Sequence, residues 1–410
     1  MISTSSRGAK DRLRLHFSLP RNAWILTSTS AVWSIGAAAA NPYQTLYFAA
    51  LGASALEIGF YVAYGTAVTV LALLVGGYVA DTWGRRNVII VFSWVSVAAA
   101  MIYAVIDSSF LIAIPLTLGS VASVYTPAFN SVMMDSIEPR DRIRGFSVFN
   151  AINTIPSVFS PTIGGVLMAS FGILNGIRFA YVASTVFGVV GVSLRMLKLG
   201  ESYGGKPADR KSILYYIKSS FTDGMRATRS SSGAVKKLLL YVSLAGVGTG
   251  LTAPYVSIYV VDYLRINPIQ YSIVVDLAGL TTVILLLGII FLIQRLGARR
   301  SVMVASVASP LSNVMFTQAK TMDELLEWGV TGAVATALQT PSLATVQAEA
   351  IPPEDRGKLL AMFSILPAIV SLPSQMLAGL LYTSISPVAP FILSLFPFGV
   401  GALTLYSMRE

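Results

Sequence analysis

The chain of 410 residues is 54% hydrophobic and 12% charged, with a mean hydropathy of +0.70. So little charge cannot coat a water-soluble surface of this size, which excludes an ordinary soluble enzyme or binding domain and places the chain in lipid. The absence of cysteine excludes a disulfide framework and a thiolate metal site, and the net charge of +10 reads as membrane topology, not as a nucleic-acid footprint.

Residues 1–21 form a basic segment with Arg7, Lys10, Arg12, Arg14 and Arg21; it also holds the lone His16, expected to be solvated or interfacial. Six apolar runs follow, at about residues 24–50, 60–80, 87–106, 110–134, 146–171 and 177–199, each near or beyond the ~20 residues that cross a bilayer. The first continues through Leu46, past the about 7–15 residues of a signal-peptide core, and is expected to be retained. A polar linker then separates these runs from six more, at about 238–261, 268–293, 301–319, 325–348, 359–383 and 388–407. In the linker Ile213, Leu214, Ile217, Phe221 and Met225 recur at helical spacing, which suits a helix on the membrane surface or a solvated loop with some helix. The expected organisation is a cytoplasmic segment 1–21, a six-helix half 22–199, a cytoplasmic linker 200–236 and a second six-helix half 237–410.

Lysine and arginine are retained on the cytoplasmic side of short loops. With the N-terminus inside, every one of the 29 basic residues falls on that side except Arg178, Arg265 and Lys320, with Arg195 counted in the central loop. Both termini are accordingly expected in the cytoplasm, and the chain is expected to be a multi-pass protein of the plasma membrane.

The two sets of spans are copies. Ile137, Pro139, Asp141, Arg142 and Phe149 recur as Ile351, Pro353, Asp355, Arg356 and Phe363, an offset of 214 (351 against 137). The same shift carries Arg85 and Arg86 onto Arg299 and Arg300, and Gly165 onto Gly379, while Pro42-Tyr43 and Pro254-Tyr255 correspond at 212. Duplicated bundles of apolar helices with a site at the repeat interface mark secondary transporters.

Between the second and third spans, Gly77, Asp81, Gly84, Arg85 and Arg86 fall at the spacing G-x-x-x-D-x-x-G-R-[KR]. The glycines permit close helix approach and a tight turn, and Asp81, flanked by apolar helix ends, calls for a cationic or helix-N-terminal partner. Span five holds Ser160, Pro161, Gly164 and Gly165, a P-x-x-G-G stretch in which proline frees a carbonyl and small residues admit a neighbouring helix. By the loop motif, the span count and the repeat, the chain resembles the major facilitator superfamily over nearly its whole length. The span-five stretch is similar to the motif of its drug/proton antiporter branch, with Ser160 and Pro156 in place of two glycines.

The resemblance implies an all-α integral membrane fold of about twelve transmembrane helices in two halves. It also implies a relay among Asp81, Arg85 and Asp135 that latches the halves in the outward-facing state, and a cavity lined mainly by the first, fourth, seventh and tenth helices. Polar candidates in those spans are Asn41, Gln44, Tyr125, Asn130, Tyr255, Tyr259 and Gln339, with Asn150, Asn153 and Gln375 on helices between the halves. Asp276 interrupts the apolar run of span eight, and an intramembrane acid usually faces a cavity or partner, which makes it the candidate for proton coupling or cation binding.

No phosphate-binding loop, metal cluster or nucleophile–base constellation is apparent, so no enzymatic activity and no cofactor is expected, with a proton gradient as driving force. The expected protein is a monomeric alternating-access carrier in contact with membrane lipids and a small-molecule substrate, without nucleic acid. Efflux of a neutral, amphipathic or cationic molecule is the leading expectation. Uptake of a sugar or other polar nutrient by symport or uniport is the alternative, and a channel or lipid scramblase is the alternative of another class.

Overall fold

The computed structural model describes residues 19–138, 141–201 and 213–408. The segment before Leu19, including His16, and the start of the linker lie outside the described residues. Six helical passes form the first half: α1 (Arg21–Ala50), α2 (Ala55–Trp83), α3 (Arg85–Val105), α4 (Ser109–Ser136), α5 (Arg142–Phe171) and α6 (Ile173–Lys198). The linker contributes α7 (Ile213–Ser230). The second half comprises α8 (Gly233–Tyr263), α9 (Pro268–Leu296), α10 (Ala298–Gln318), α11 (Met322–Ala350), α12 (Arg356–Ser384) and α13 (Ala389–Tyr406). Among the described residues there is no strand.

Ten of these passes are long and apolar enough to cross a membrane. The other two that the sequence analysis expects, α10 and α11, are helices of 21 and 29 residues whose composition is more polar. They carry Ser309, Asn313, Thr336 and Gln339 on the wall of a cavity, so part of their polarity faces the protein interior.

Local sequence sets the helix boundaries. Ser54 and Glu57 form a reciprocal capping box at the start of α2, and Ser232 and Thr321 accept first-turn amides of α8 and α11. Gly84 and Gly297 turn the chain between α2 and α3 and between α9 and α10 at φ of 85° in each case, which a side chain would oppose. α1 and α8 are each broken at the Pro-Tyr pair by a 3-10 turn, at Asn41–Tyr43 and Ala253–Tyr255.

The duplication extends to individual hydrogen bonds. Tyr43 donates to the Pro161 carbonyl at 2.8 Å and Tyr255 to that of Gln375 at 3.3 Å, while Tyr47 donates to Tyr103 at 2.6 Å and Tyr259 to Thr317 at 2.7 Å. Arg86 donates to the carbonyls of Met196 and Leu199 at the end of α6, and Arg299 to those of Leu405 and Tyr406 at the end of α13. These bonds align Arg86 with Arg299, as the turns align Gly84 with Gly297, an offset of 213. The sequence pairing of Arg86 with Arg300 is therefore one residue out of register, and Arg85 has Ala298 as its counterpart.

The apolar core divides unevenly along the bundle. At the end bearing the Gly52 and Gly172 turns, hereafter the far end, one cluster joins both halves and includes Tyr43, Tyr47, Tyr103, Tyr255, Tyr259 and Phe391. At the opposite end, where the described chain starts and stops, each half has a cluster of its own. α7 lies against α2 and α12 at that end, and its Phe221 and Met225 pack into the second half's cluster, not onto a membrane surface.

Candidate functional site

Between and within the halves lie adjoining cavities. One of about 310 Å³ in the first half has Trp33, Asn41, Gln44, Ser96 and Tyr103 in its wall. One of about 540 Å³ in the second half is lined by Thr249, Tyr271, Asn313, Trp328 and Gln339, among others. A third, of about 430 Å³ between α1, α2, α8 and α12, shares Gln44 with the first and Thr249 with the second. Gln44 borders a fourth as well, of about 320 Å³ between α2, α4 and α12, which makes it the most central of the candidate polar groups. Amides, hydroxyls and aromatic rings share these walls with alanine, valine and glycine, and none of the lining residues is charged, a surface that orients an uncharged or weakly polar solute.

The other sequence candidates separate into distinct places. Gln339 donates to the Tyr241 hydroxyl at 2.7 Å, and Gln44 to that of Tyr103 at 3.4 Å. Tyr255 and Tyr259 are fully buried, with their hydroxyls bound to main-chain carbonyls, and form the far-end core, not the wall of these cavities. Asn153 donates to Phe149 of its own helix at 2.8 Å, and Asn130 and Asn150 are exposed outside these cavity walls.

Side-chain hydrogen bonds between the halves concentrate toward the far end. Thr45 and Ser257 share one at 3.1 Å, Tyr255 donates to the Ala55 carbonyl at 3.0 Å, and Gln375 bonds Thr66 at 3.3 Å. The span-five stretch stands in the same seal. Ser160 donates to Pro156 within α5, the Pro161 carbonyl receives Tyr43, and Gly164 packs against the Ala39 carbonyl. Gly165 meets Ser272 and Pro268 of the other half, as its repeat partner Gly379 meets Ala55, Leu56 and the Tyr255 hydroxyl. Thr162, inside this stretch, donates to Oδ2 of Asp276 on α9, and Oδ1 of Asp276 is buried without a hydrogen-bond partner. A carboxyl with one oxygen held and the other bare, between two helices of opposite halves, is placed to respond to a proton and to helix separation alike.

At the other end, Arg85 pairs with Asp135 within the first half. Asp81 is exposed and makes no hydrogen bond or ion pair among the described residues, and a Cβ on Gly77 would meet nothing within 4 Å. Of the implied relay the structure joins two members and leaves Asp81 apart.

Comparison with known proteins bears on this architecture. The model of the Major Facilitator Superfamily matches residues 26–241 and 238–410. The chain belongs to the Major Facilitator Superfamily. It is 25% identical over 287 residues to YqjV of Bacillus subtilis (strain 168), an uncharacterized MFS-type transporter, covering 67% of this chain and 66% of that one. Over 123 residues it is 31% identical to the multidrug resistance protein MdtL of Klebsiella pneumoniae, covering 30% and 31%. The chain spans about two thirds of the length of the curated relatives that it matches most extensively. Its fold is that of the crystallised nucleoside transporter NupG, with a TM-score of 0.76 over 95% of this chain and all of that one at 15% identity. It is therefore a multi-pass transporter-family membrane protein.

One polar residue of this superfamily member escapes the sequence reading. Arg195, assigned there to the central loop, belongs to α6 and is 4% exposed. It donates to Thr29 at 2.8 Å, Ser30 at 2.8 Å and Ser93 at 2.9 Å, and its guanidinium lies 5.7 Å from the centre of the Phe129 ring. Proximity to Lys198 disguises it as a flanking basic residue. The available signal is the hydroxyl run Thr27, Ser28, Thr29, Ser30 inside an apolar span, which a buried donor would explain.

Proposed function

We propose that this protein is a proton-coupled alternating-access carrier that exports a small molecule across the plasma membrane. The observation that carries the reading is the uneven core: one cluster ties the halves at the far end, while at the other end each half has its own. With both termini in the cytoplasm, this arrangement is the inward-facing state, its cavities loading from the cytoplasm behind a closed outer seal. Release of Asp81 from Arg85 and Asp135 fits that state, since the relay would re-form as the cytoplasmic ends close. Asp276 and Thr162 bridge the halves within the seal, so protonation of Asp276 from outside would loosen that bridge and couple opening to the gradient. The similarity to a multidrug resistance protein over part of the chain supports export. The protein works as a monomer, because each cavity is completed within one chain.

Asn41, Gln44 and Gln339 on the cavity walls favour a second reading, uptake of a sugar or another polar nutrient. One assay separates the two. In proteoliposomes with a pH dye inside, candidate drugs, sugars and amino acids are added to wild type and Asp276→Asn. Export by antiport gives a saturable, substrate-dependent pH change of the sign opposite to symport, lost in the variant. Saturable flux with no pH change would remove proton coupling, and flux without saturation would favour a channel.

A further inference from the structure

Among the described residues Arg195 is the one fully buried charged side chain, and no carboxylate pairs with it. Its hydrogen-bond partners are three hydroxyls and its guanidinium lies over the Phe129 ring, which supply dipoles and a ring face but no counter-charge, and the guanidinium carries more N–H donors than those three bonds use. A cation buried without a counter-charge is costly within a membrane and is retained where something supplies that charge. Beside it lies a pocket of about 100 Å³ walled by Ser30, Trp33, Ser93, Ser96, Tyr125 and Arg195. Trp33 and Ser96 are also wall residues of the 310 Å³ cavity, so the pocket is a side chamber of the proposed transport path. Its volume equals that of roughly three water molecules, enough for one carboxylate or halide.

The other half contains the same node without the charge. At offsets of 212 to 214, Tyr241 stands for Thr29, Ser306 for Ser93, Gln339 for Tyr125 and Met408 for Arg195. There the Tyr241 hydroxyl bonds Ser306 at 2.7 Å and receives Gln339 at 2.7 Å, a neutral node that its own ring fills. In the first half the small Thr29 leaves the space open, and Arg195 supplies a positive charge beside it. The two copies differ by a cation and a vacancy of anionic size.

We propose that this pocket binds a single anionic group, the carboxylate of a transported solute or a free halide, on Arg195 with the hydroxyls of Ser93, Ser96 and Tyr125 around it. The site goes beyond the proposed export and does not depend on its direction; it departs from the neutral or cationic cargo that the scarcity of buried charge suggests.

The test uses the purified full chain in detergent, in PIPES buffer, whose anion is too large for the pocket. Bromide and benzoate are titrated separately while tryptophan fluorescence, to which Trp33 contributes from the pocket wall, and thermal stability are followed. Wild type should respond saturably. Affinity should fall about tenfold or more in Arg195→Met, which removes a charge-assisted contact, and should vanish in Ser96→Phe, which fills the chamber but keeps the arginine. Binding of bromide alone identifies a free-ion site, of benzoate alone a solute carboxylate site, and of both a pocket that takes either; each supports the proposal. No saturable response in wild type, or one retained in Ser96→Phe, overturns it, and the latter variant decides even where Arg195→Met does not fold. Transport assays stand apart, so loss of this site leaves the carrier reading to its own test.

Discussion

The far-end seal makes a quantitative prediction at Gly379. A Cβ there would stand 2.6 Å from the Ala55 carbonyl oxygen, 2.8 Å from Leu56 Cα and 2.9 Å from the Tyr255 hydroxyl. The first two are main-chain atoms of α2 in the opposite half, which no rotamer change can move. Relief in Gly379→Ala therefore requires the halves to part by about half an ångström or more, at an overpacking cost of about 1–3 kcal/mol borne by the sealed state alone. A state with the far ends apart escapes that cost, so the ratio of states should move about 5- to 150-fold toward an open far end. The chain has no cysteine, so Thr45→Cys within the seal is a clean reporter without further engineering. Thr45 also borders the 430 Å³ cavity, so a membrane-impermeant maleimide is supplied on the far-end side alone, where labelling should accelerate by about tenfold in Gly379→Ala and remain unchanged in Gly399→Ala, where a Cβ meets nothing within 4 Å. Gly165→Ala should act in the same direction, because behind the rotatable Ser272 hydroxyl stand Ser272 Cβ at 2.7 Å and the Pro268 carbonyl at 3.0 Å, which no rotamer change can move. Unaltered labelling in a folded Gly379→Ala protein would refute the claim that this contact holds the outer gate shut.

Further outcomes follow from other contacts. Thr162→Val leaves both oxygens of Asp276 without the inter-half donor and should shift the pH at which transport responds while substrate affinity is kept; an unchanged pH profile by the dye assay would sink the coupling role of this pair. Gly77→Leu should leave thermal stability within about 0.5 kcal/mol of wild type, since space is open around it here, yet slow exchange if Gly77 lies against the other half when the cytoplasmic ends close; normal turnover would exclude such an approach. Asp135→Asn should cost at most about 1 kcal/mol of stability, because its carboxyl is half exposed, and its effect should appear in cycling rate instead. Tyr47→Phe and Tyr259→Phe remove equivalent hydroxyl-to-carbonyl bonds in the two halves. Each should lower stability by about 1 kcal/mol, additively in the double variant, and strong non-additivity in thermal unfolding would contradict the equivalence.

The sequence carries the bundle legibly because lipid allows so few solutions: apolar runs of spanning length must be helices, and a repeat of such runs must be a repeat of helices. The seal was partly legible too, since Gly165 and Gly379 recur at one offset and both prove to be close approaches. Side-chain direction was not. Tyr255 and Tyr259 share a face by spacing, but with a 3-10 turn at Ala253–Tyr255 and a π-helical turn at Tyr259–Tyr263 that face lies in the far-end core. Loop register failed at Arg299 and Arg300, where two adjacent arginines fit either alignment until the carbonyls they bind are known. Arg195 failed for a related reason, because hydropathy near a helix end cannot tell an arginine that turns outward from one that turns in.

The bonds that survived duplication and those that did not divide the molecule by role. Repeated features are structural in both halves: the tyrosine-to-carbonyl bonds, the glycine turns and the arginine at the start of the third helix of each half that binds carbonyls at the end of the sixth. The unrepeated ones are charged. Ala298 replaces Arg85, Gln294 replaces Asp81 at the same 213 offset, and Met408 replaces Arg195. Across the halves, α5 and α9 meet through a carboxyl, Asp276 with Thr162, where α2 and α12 meet through the neutral pair Thr66 and Gln375. The two copies run the same way through the bundle, with the Gly84 and Gly297 turns at one end and Tyr47 and Tyr259 at the other, so the ends differ even in a symmetric pair and the unrepeated charges add to that difference. On the readings proposed above, charge placed on one copy would give distinct responses, to a proton at Asp276, to closure at Asp81 and Arg85, and to an anion at Arg195. Neutralising the pair offers a direct check: Asp276→Gln with Thr162 kept mimics the neutral pair and should preserve folding while making the state ratio insensitive to pH, measured by the Thr45→Cys labelling rate divided at each pH by that of the unfolded chain, because the thiolate is the species that reacts.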